Sequence, residues 1–321
     1  MAAPTVSLAE KFQIPVVGLG TWQCDNEEEL ENSLNAALEC GYRHIDTAFL
    51  YRNEHVVGRV IKQWISNGKL TREQLFVTTK LPSEALQPDL VESYLKKQLE
   101  SLQLAYVDLY LIHFPIGMKP RKTPTEPLEP IPTDHVAVWK KFEEQVDQGR
   151  TRTIGISNFN IKQIERILKI ARIKPASLQV ENHVFLQQND LVKYAQDNGI
   201  VVVGYSPLGS PGIAKFFQKL NIEPKKVPSI LDNETVKRIG QKYGKSPAQI
   251  ALKFLLQRGI VVIPKSVTET RLKQNIDLFD FLLDENDLVD LRALDVGEEA
   301  RVCDFSFISS FKTHPEWPFT E

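Results

Sequence analysis

Cysteine is scarce: Cys24, Cys40 and Cys303 form an odd set with no CxxC pair, which argues against a disulfide framework and a four-ligand zinc site and fits a reducing compartment. No metal site is expected. Long hydrophobic runs are missing too. No stretch reaches the roughly 18 uninterrupted apolar residues of a spanning helix, and Met1 to Gln13 has no apolar run behind a basic start. A cytoplasmic protein away from membranes is therefore expected. There is no excess of one charge sign: 39 Lys and Arg against 41 Asp and Glu give a net charge of -2. Nothing in that balance draws a nucleic acid.

What is present is core material. The 321 residues are 42% hydrophobic and 25% charged, ordinary values for a folded chain, and one large domain over residues 1–321 is expected. Short apolar runs recur at His44 to Asp46, Leu75 to Thr79, Val107 to Ile112, Ile154 to Ser157, Ser177 to Glu181, Ile200 to Tyr205 and Val261 to Ile263. Each reads as a buried parallel strand. Val17 to Gly20 supplies an earlier one, and Val6 to Val16 a hairpin outside the repeat. Helical stretches separate them: Asn26 to Cys40, Glu54 to Ser66, Pro88 to Leu102, His135 to Gln148, Asn160 to Ala171, Asn189 to Asn198, Asn233 to Tyr243 and Ser246 to Gln257. Eight alternations predict an α/β fold, a (β/α)8 TIM barrel, with an open doubly wound sheet as the alternative from pattern alone. Pro115 to Thr133, Leu208 to Leu231 and the tail after about Val296 do not fit the repeat. They are expected as long loops over the C-terminal face.

Polar residues at the ends of those strands are the first candidates for chemistry: Asp46, Lys80, His113, Ser157, Asn158, Gln179, Tyr205 and Lys265. Asp46 can hold a Lys80 ammonium, and that charge beside the Tyr51 phenol is expected to lower the tyrosine pKa toward the working range. Tyr51 then serves as proton donor to a carbonyl oxygen, with His113 orienting that oxygen. The competing structural reading is a buried Asp46–Lys80 salt bridge beside a satisfied core histidine.

Three ordered segments carry a resemblance: Gly41-Tyr-Arg-His-Ile-Asp-Thr-Ala48 followed by Tyr51, Glu54 and Gly58; Ile154-Gly-Ile-Ser-Asn-Phe159; and Ile263-Pro-Lys-Ser266 with Arg271 and Asn275. The chain resembles the aldo-keto reductases along them, and the likeness runs from about Val6 to Phe319. The resemblance implies a catalytic tetrad of Asp46, Tyr51, Lys80 and His113, with Tyr51 as general acid. A histidine at position 113, where steroid double-bond reductases of the family carry glutamate, implies carbonyl reduction. It also implies NADPH/NADP+ as cofactor, with Lys265, Ser266 and Arg271 on the adenosine 2′-phosphate. Tyr205 would stack on the nicotinamide, and Ser157, Asn158 and Gln179 would hold its carboxamide. Thr21, Ser206, Leu208, Gln274 and Asn275 match further cofactor contacts. Gln274 stands where glutamate is frequent, and Leu178 where many relatives have asparagine. No GxGxxG opens a helix after a strand, so the loops of the barrel face are the expected cofactor site.

Trp22, Phe49 and Phe114, together with Tyr51 and His113, match substrate-pocket positions. Phe114 departs from the tryptophan common in aldose-reductase-like members, and a smaller wall there is expected to admit a bulkier ketone. Phe305, Phe307, Phe311, Trp317 and Phe319 line a tail that covers the substrate in the family. The expected activity is reduction of aldehydes or ketones, with aromatic or aliphatic aldehydes, sugars and keto-steroids, including ecdysteroid-like ketones, as the range, by a monomer acting on small molecules. The alternatives are a cofactor-sensing or structural protein on the same fold, as channel-associated subunits and lens crystallins of the family resemble, and an unrelated aldolase using Lys80 or Lys265 as a Schiff-base nucleophile.

Overall fold

The computed structural model describes residues 3–319 apart from 10, 122, 124, 125, 127 and 224, so parts of the proline-rich stretch and of residues 208–231 lie outside the described residues. The chain enters through an antiparallel hairpin, β1 (Thr5–Leu8) on β2 (Phe12–Pro15). Eight parallel strands come next: β3 (Leu19–Gly20), β4 (His44–Asp46), β5 (Phe76–Leu81), β6 (Val107–Ile112) and, after a small antiparallel ribbon of β7 (Gly117–Met118) and β8 (Pro130–Ile131), β9 (Thr151–Ser157), β10 (Ser177–Glu181), β11 (Val201–Tyr205) and β12 (Val261–Val262). They lie side by side in chain order, without the strand-order reversal of a doubly wound sheet. The ring closes where Val17 bridges Val262 in parallel, with Gly18 N donating to Val262 O at 2.8 Å and Val262 N to Val16 O at 3.0 Å. This is the (β/α)8 barrel, and the open-sheet alternative falls.

Around the ring run α1 (Glu27–Glu39), α2 (Glu54–Ser66), α3 (Pro88–Leu102), α4 (His135–Asp147), α5 (Ile161–Leu168), α6 (Asn189–Asp197), α7 (Ile213–Lys219), α8 (Glu234–Tyr243), α9 (Pro247–Gln257), α10 (Glu269–Ile276), α11 (Glu285–Arg292) and α12 (Ser309–Lys312). Side-chain caps set several starts: Asn26 accepts from Glu29 N at 2.9 Å, and Asn160 and Ser246 form capping boxes with Gln163 and Gln249. At Gly58 a Cβ would lie 2.3 Å from Leu102 O, so α2 meets the end of α3 only because that position has no side chain. Two of the eight expected helices, α8 and α9, both precede the last strand. α8 packs on α9 and α11, while α9 packs on β12. The helix that completes the eighth repeat is α10, which sequence reading passed over because its eight residues bury only Leu272 and Asn275 and so give no apolar stripe.

Two cores result. Outward strand residues such as Tyr110 and Ile112 pack with the helices, while inward Phe76, Leu109, Leu111, Val203, Val261 and Ile263 fill the barrel and meet Leu8 and Ile14 of the hairpin, which plugs the floor. The inward residues alternate along each strand. Continued toward the strand ends, the same alternation reaches Lys80, His113 and Gln179 and replaces the apolar filling by a polar mouth. Over that mouth the three irregular segments meet: Ile116 packs with Phe114 and Phe311, and Phe216 and Phe217 with Trp22 and Phe307. Among the described residues no helix is long and apolar enough to cross a membrane.

Candidate active site

Asp46 ends β4 and Lys80 lies on the neighbouring β5, two residues past Thr78, the partner of Asp46 in the register. The Lys80 side chain is fully buried, a position that a charged group holds only with partners. All three of its ammonium protons are taken: by Asp46 Oδ1 at 2.6 Å, Thr47 O at 2.9 Å and Tyr51 OH at 3.2 Å. Gln179 of β10 donates to the other Asp46 oxygen at 2.7 Å. Burial works against the Lys80 charge, yet Asp46 and Tyr51 outweigh it and its pKa lies above the usual value.

Tyr51 stands on a single 3₁₀ turn (Phe49–Tyr51) after β4, closed by Arg52 in the left-handed region. Its oxygen accepts from Lys80, so its own proton is free to be given elsewhere. The expected downward shift of its pKa is not what the site produces. Burial raises the phenol above its ordinary value, and the Lys80 ammonium opposes that without reversing it. The phenol is thus held protonated at neutral pH. The His113 ring stands edge-on to Tyr51 at 5.7 Å, and burial, reinforced by Lys80, drives its pKa well below the usual imidazole value. It is a neutral ring whose Nδ1 finds no partner among the described residues. Both rings keep part of their surface open to the mouth.

Around this group, Asn158 in the left-handed region (φ 62°) gives its amide to His113 O at 3.0 Å and to Ser157 Oγ at 3.1 Å, and accepts from Tyr205 OH at 2.7 Å. Ser157 and Gln179 face each other across β9 and β10. Thr21 is fully buried, its hydroxyl given to Asp46 O at 3.1 Å. Ser206, with positive φ, accepts from Ser210 Oγ at 2.6 Å, and Leu208 packs on the outer core. Lys265, Arg271 and Gln274 are exposed beyond β12, while Ser266 and Asn275 are buried. Neither Lys265 nor Arg271 makes an ion pair among the described residues, unlike nearby Lys273, which holds Glu269 at 2.6 Å. Thr268, at the cap position of α10, gives no side-chain cap, so first-turn N–H groups of the helix that carries Arg271 are left without one.

The apolar wall contains Trp22, on Phe216 at 5.5 Å, Phe49, on Tyr94 at 5.1 Å, and Phe114. Phe305, Phe311 and Phe319 of the tail lie on the Phe114 ring at 5.1, 5.7 and 6.1 Å, so the width of the pocket there depends on the tail as well as on Phe114. Sequence reading missed Glu181. It closes β10 fully buried, two residues beyond Gln179 on the same face, and its carboxylate receives the tail amides of Val302 and Cys303. The i, i+2, i+4 spacing of Ser177, Gln179 and Glu181 was the signal that could have found it.

A closed barrel with a buried Asp–Lys–Tyr chain beside a neutral histidine, and a basic rim past the last strand, is the architecture of a barrel oxidoreductase. The Aldo/keto reductase family profile matches residues 16–296. Aldo-keto reductase family 1 member A1 of Xenopus tropicalis is 44% identical over 288 residues, 88% of this chain and 86% of that protein. The aldose reductase of Schistosoma japonicum superposes with a TM-score of 0.88 at 36% identity, covering 99% of both chains. An aldo-keto reductase of Bombyx mori, solved in complex with NADP, gives 0.88 at 38% identity over 99% of this chain and 100% of that one. The chain belongs to the aldo-keto reductase family and is an NADP-dependent oxidoreductase acting on small carbonyl compounds.

Proposed function

We propose that this protein reduces aldehydes and ketones to alcohols with NADPH, Tyr51 acting as the general acid. The observation that carries the proposal is the hydrogen-bonded chain Gln179–Asp46–Lys80–Tyr51 ending at a phenol with a free proton beside neutral His113. When bound, NADPH supplies the hydride. His113 gives an N–H to the carbonyl oxygen and holds it against Tyr51. As negative charge gathers on that oxygen Tyr51 releases its proton to it, and Lys80, compensated by Asp46, stabilises the phenolate left behind. Trp22, Phe49 and Phe114 exclude water from the carbonyl and favour apolar or flat substrates, aromatic and aliphatic aldehydes first and keto-steroids, including ecdysteroid-like ketones, among the larger ones.

The residues present fit the cofactor. Lys265, Ser266 and Arg271 would hold the 2′-phosphate, Gln274 and Asn275 the adenine end, Tyr205 the nicotinamide face, and Ser157, Asn158 and Gln179 its carboxamide, with Thr21, Ser206 and Leu208 flanking. Two unpaired cations beside uncapped helix N–H groups favour a phosphate dianion, which NADH lacks. Arg271→Met therefore raises the KM for NADPH about 10- to 100-fold, the worth of a charge-assisted hydrogen bond, and leaves that for NADH nearly unchanged. Equal loss with both cofactors would show that Arg271 does not read the phosphate. We further propose a cytoplasmic monomer formed by one domain.

The test of the function is loss of NADPH absorbance with a panel running from propanal through nitrobenzaldehyde to a keto-steroid. Turnover of any member supports the reading. NADPH binding without turnover of any member would replace it by a sensing or structural role.

A further inference from the structure

Glu181 is a fully buried carboxylate that the proton-transfer chain does not use. Its Oε1 accepts from Val302 N at 2.9 Å and lies 3.1 Å from His183 Nε2, while its Oε2 accepts from Cys303 N at 2.8 Å. Its backbone carbonyl is taken by the Gln188 side chain, and Gln188 Oε1 in turn accepts from Arg301 Nη2 at 3.0 Å. Arg301, 2% exposed, pairs with Glu298 at 2.6 Å and lies over the Phe319 ring at 4.1 Å. Burial alone would push Glu181 toward the neutral acid, but His183, Arg301 and the Cys303 amide reverse that, and its pKa lies below the usual carboxylate value. A charge kept inside the barrel wall and given to two successive amides of the tail fixes the height at which the tail leaves the barrel.

Just beyond Cys303 the tail reaches the site. Phe305 adopts φ 54°, a left-handed region that a residue with a side chain enters at a cost and keeps only when the surroundings hold it. Ser306 N bonds Asp304 Oδ1 at 2.9 Å and Ile308 N bonds Phe305 O at 3.0 Å, so the turn is tight. It delivers the Phe305 ring onto Phe114, the residue after His113, at 5.1 Å. The far end of the tail has further ties of its own, by Glu316 to Arg166 at 2.6 Å and by His314 to Ile131 O at 3.1 Å, and meets the near end where Phe319 lies under Arg301. Among the described residues, the tail amides held by a barrel-strand side chain are those of the near end, on the strand that also carries Gln179.

We propose that Glu181 is a specificity-positioning residue: by holding the Val302 and Cys303 amides it sets the Phe305–Phe114 wall above His113 and so favours aromatic carbonyl substrates over short ones. The specificity role rests on the reductase reading given above; the latch itself does not. Two readouts separate them, steady-state kinetics of Glu181→Gln with nitrobenzaldehyde and with propanal, and hydrogen exchange of the Val302 and Cys303 amides. In the variant the KM for nitrobenzaldehyde rises about ten-fold, the loss expected for one hydrogen bond to a charged group, and the nitrobenzaldehyde-to-propanal ratio of kcat/KM falls by a similar factor. Exchange of both amides accelerates at least about ten-fold. Val302→Pro, which removes one tail donor and leaves the barrel residues untouched, shifts the same ratio in the same direction and stands in if Glu181→Gln does not fold; Arg301 before it already has ψ 123°, as a residue preceding proline requires. An unchanged substrate ratio, or a kcat loss equal for both substrates at constant KM, overturns the specificity role. Unprotected amides in the unaltered chain overturn the latch. A chain that reduces neither compound refutes the reductase reading and the specificity role with it, while amide exchange still decides the latch.

Discussion

Tyr51→Phe lowers kcat by about 10²–10⁴-fold, the contribution of a placed general acid, with NADPH affinity nearly intact. The reason lies in how the phenol is held. Its oxygen is occupied as an acceptor by Lys80 at 3.2 Å, and its pKa is raised by burial, so at neutral pH it carries a proton with nowhere inside the protein to send it. Removing the hydroxyl deletes that donor and leaves the Lys80 charge still balanced by Asp46 at 2.6 Å. Single-turnover reduction of an aromatic aldehyde reads the chemical step directly. A variant that keeps more than about a tenth of the wild-type rate would mean that another group, or water, delivers the proton.

The second large effect is on stability. Asp46→Ala leaves the Lys80 ammonium fully buried with only Thr47 O and Tyr51 OH as partners, and breaking a buried pair from one side costs about 3–5 kcal/mol. Replacing both members, Asp46→Ala with Lys80→Met, removes the stranded charge and recovers much of that loss. Urea denaturation of the two single variants and the double variant forms the cycle. Strict additivity would show that the pair is not coupled as the geometry requires. The double variant is nevertheless inactive, which separates the role of the pair in folding from its role in chemistry.

Much of this was readable before the fold was known. The strands announced themselves because barrel strands are buried on both faces and so read as short apolar runs, and Lys80 and His113 stood out as polar breaks where such runs end, with Gln179 a polar residue inside one. The hairpin, the helix starts near Asn26, Asn160 and Ser246, and the Asp46–Lys80 pairing were legible in the same way. Other features were not. α10 lacks an apolar stripe because its exposed face carries Lys273, Gln274 and Arg271, residues suited to a ligand rather than to packing. The direction of the Tyr51 shift depends on how deeply the phenol is sunk, and the charges named in the sequence do not report depth. The width of the pocket at Phe114 depends on where a distant tail lands. The spacing of Ser177, Gln179 and Glu181 put Glu181 on the inner face, but its role was not legible because its partners include backbone amides, which any residue type supplies.

The bridge between Val17 and Val262 bears on how the chain reaches this state. Ring closure joins Val17 to Val262, far apart in sequence, so that contact carries a large loop-closure cost and is expected to form late in folding. Without β12, the outer edges of β3 and β11 would have no neighbouring strand. Such edges are templates for pairing with other chains. A chain cut between Tyr205 and Val262 is accordingly expected to associate through those edges rather than to close a smaller barrel, which size-exclusion chromatography of such a fragment would read.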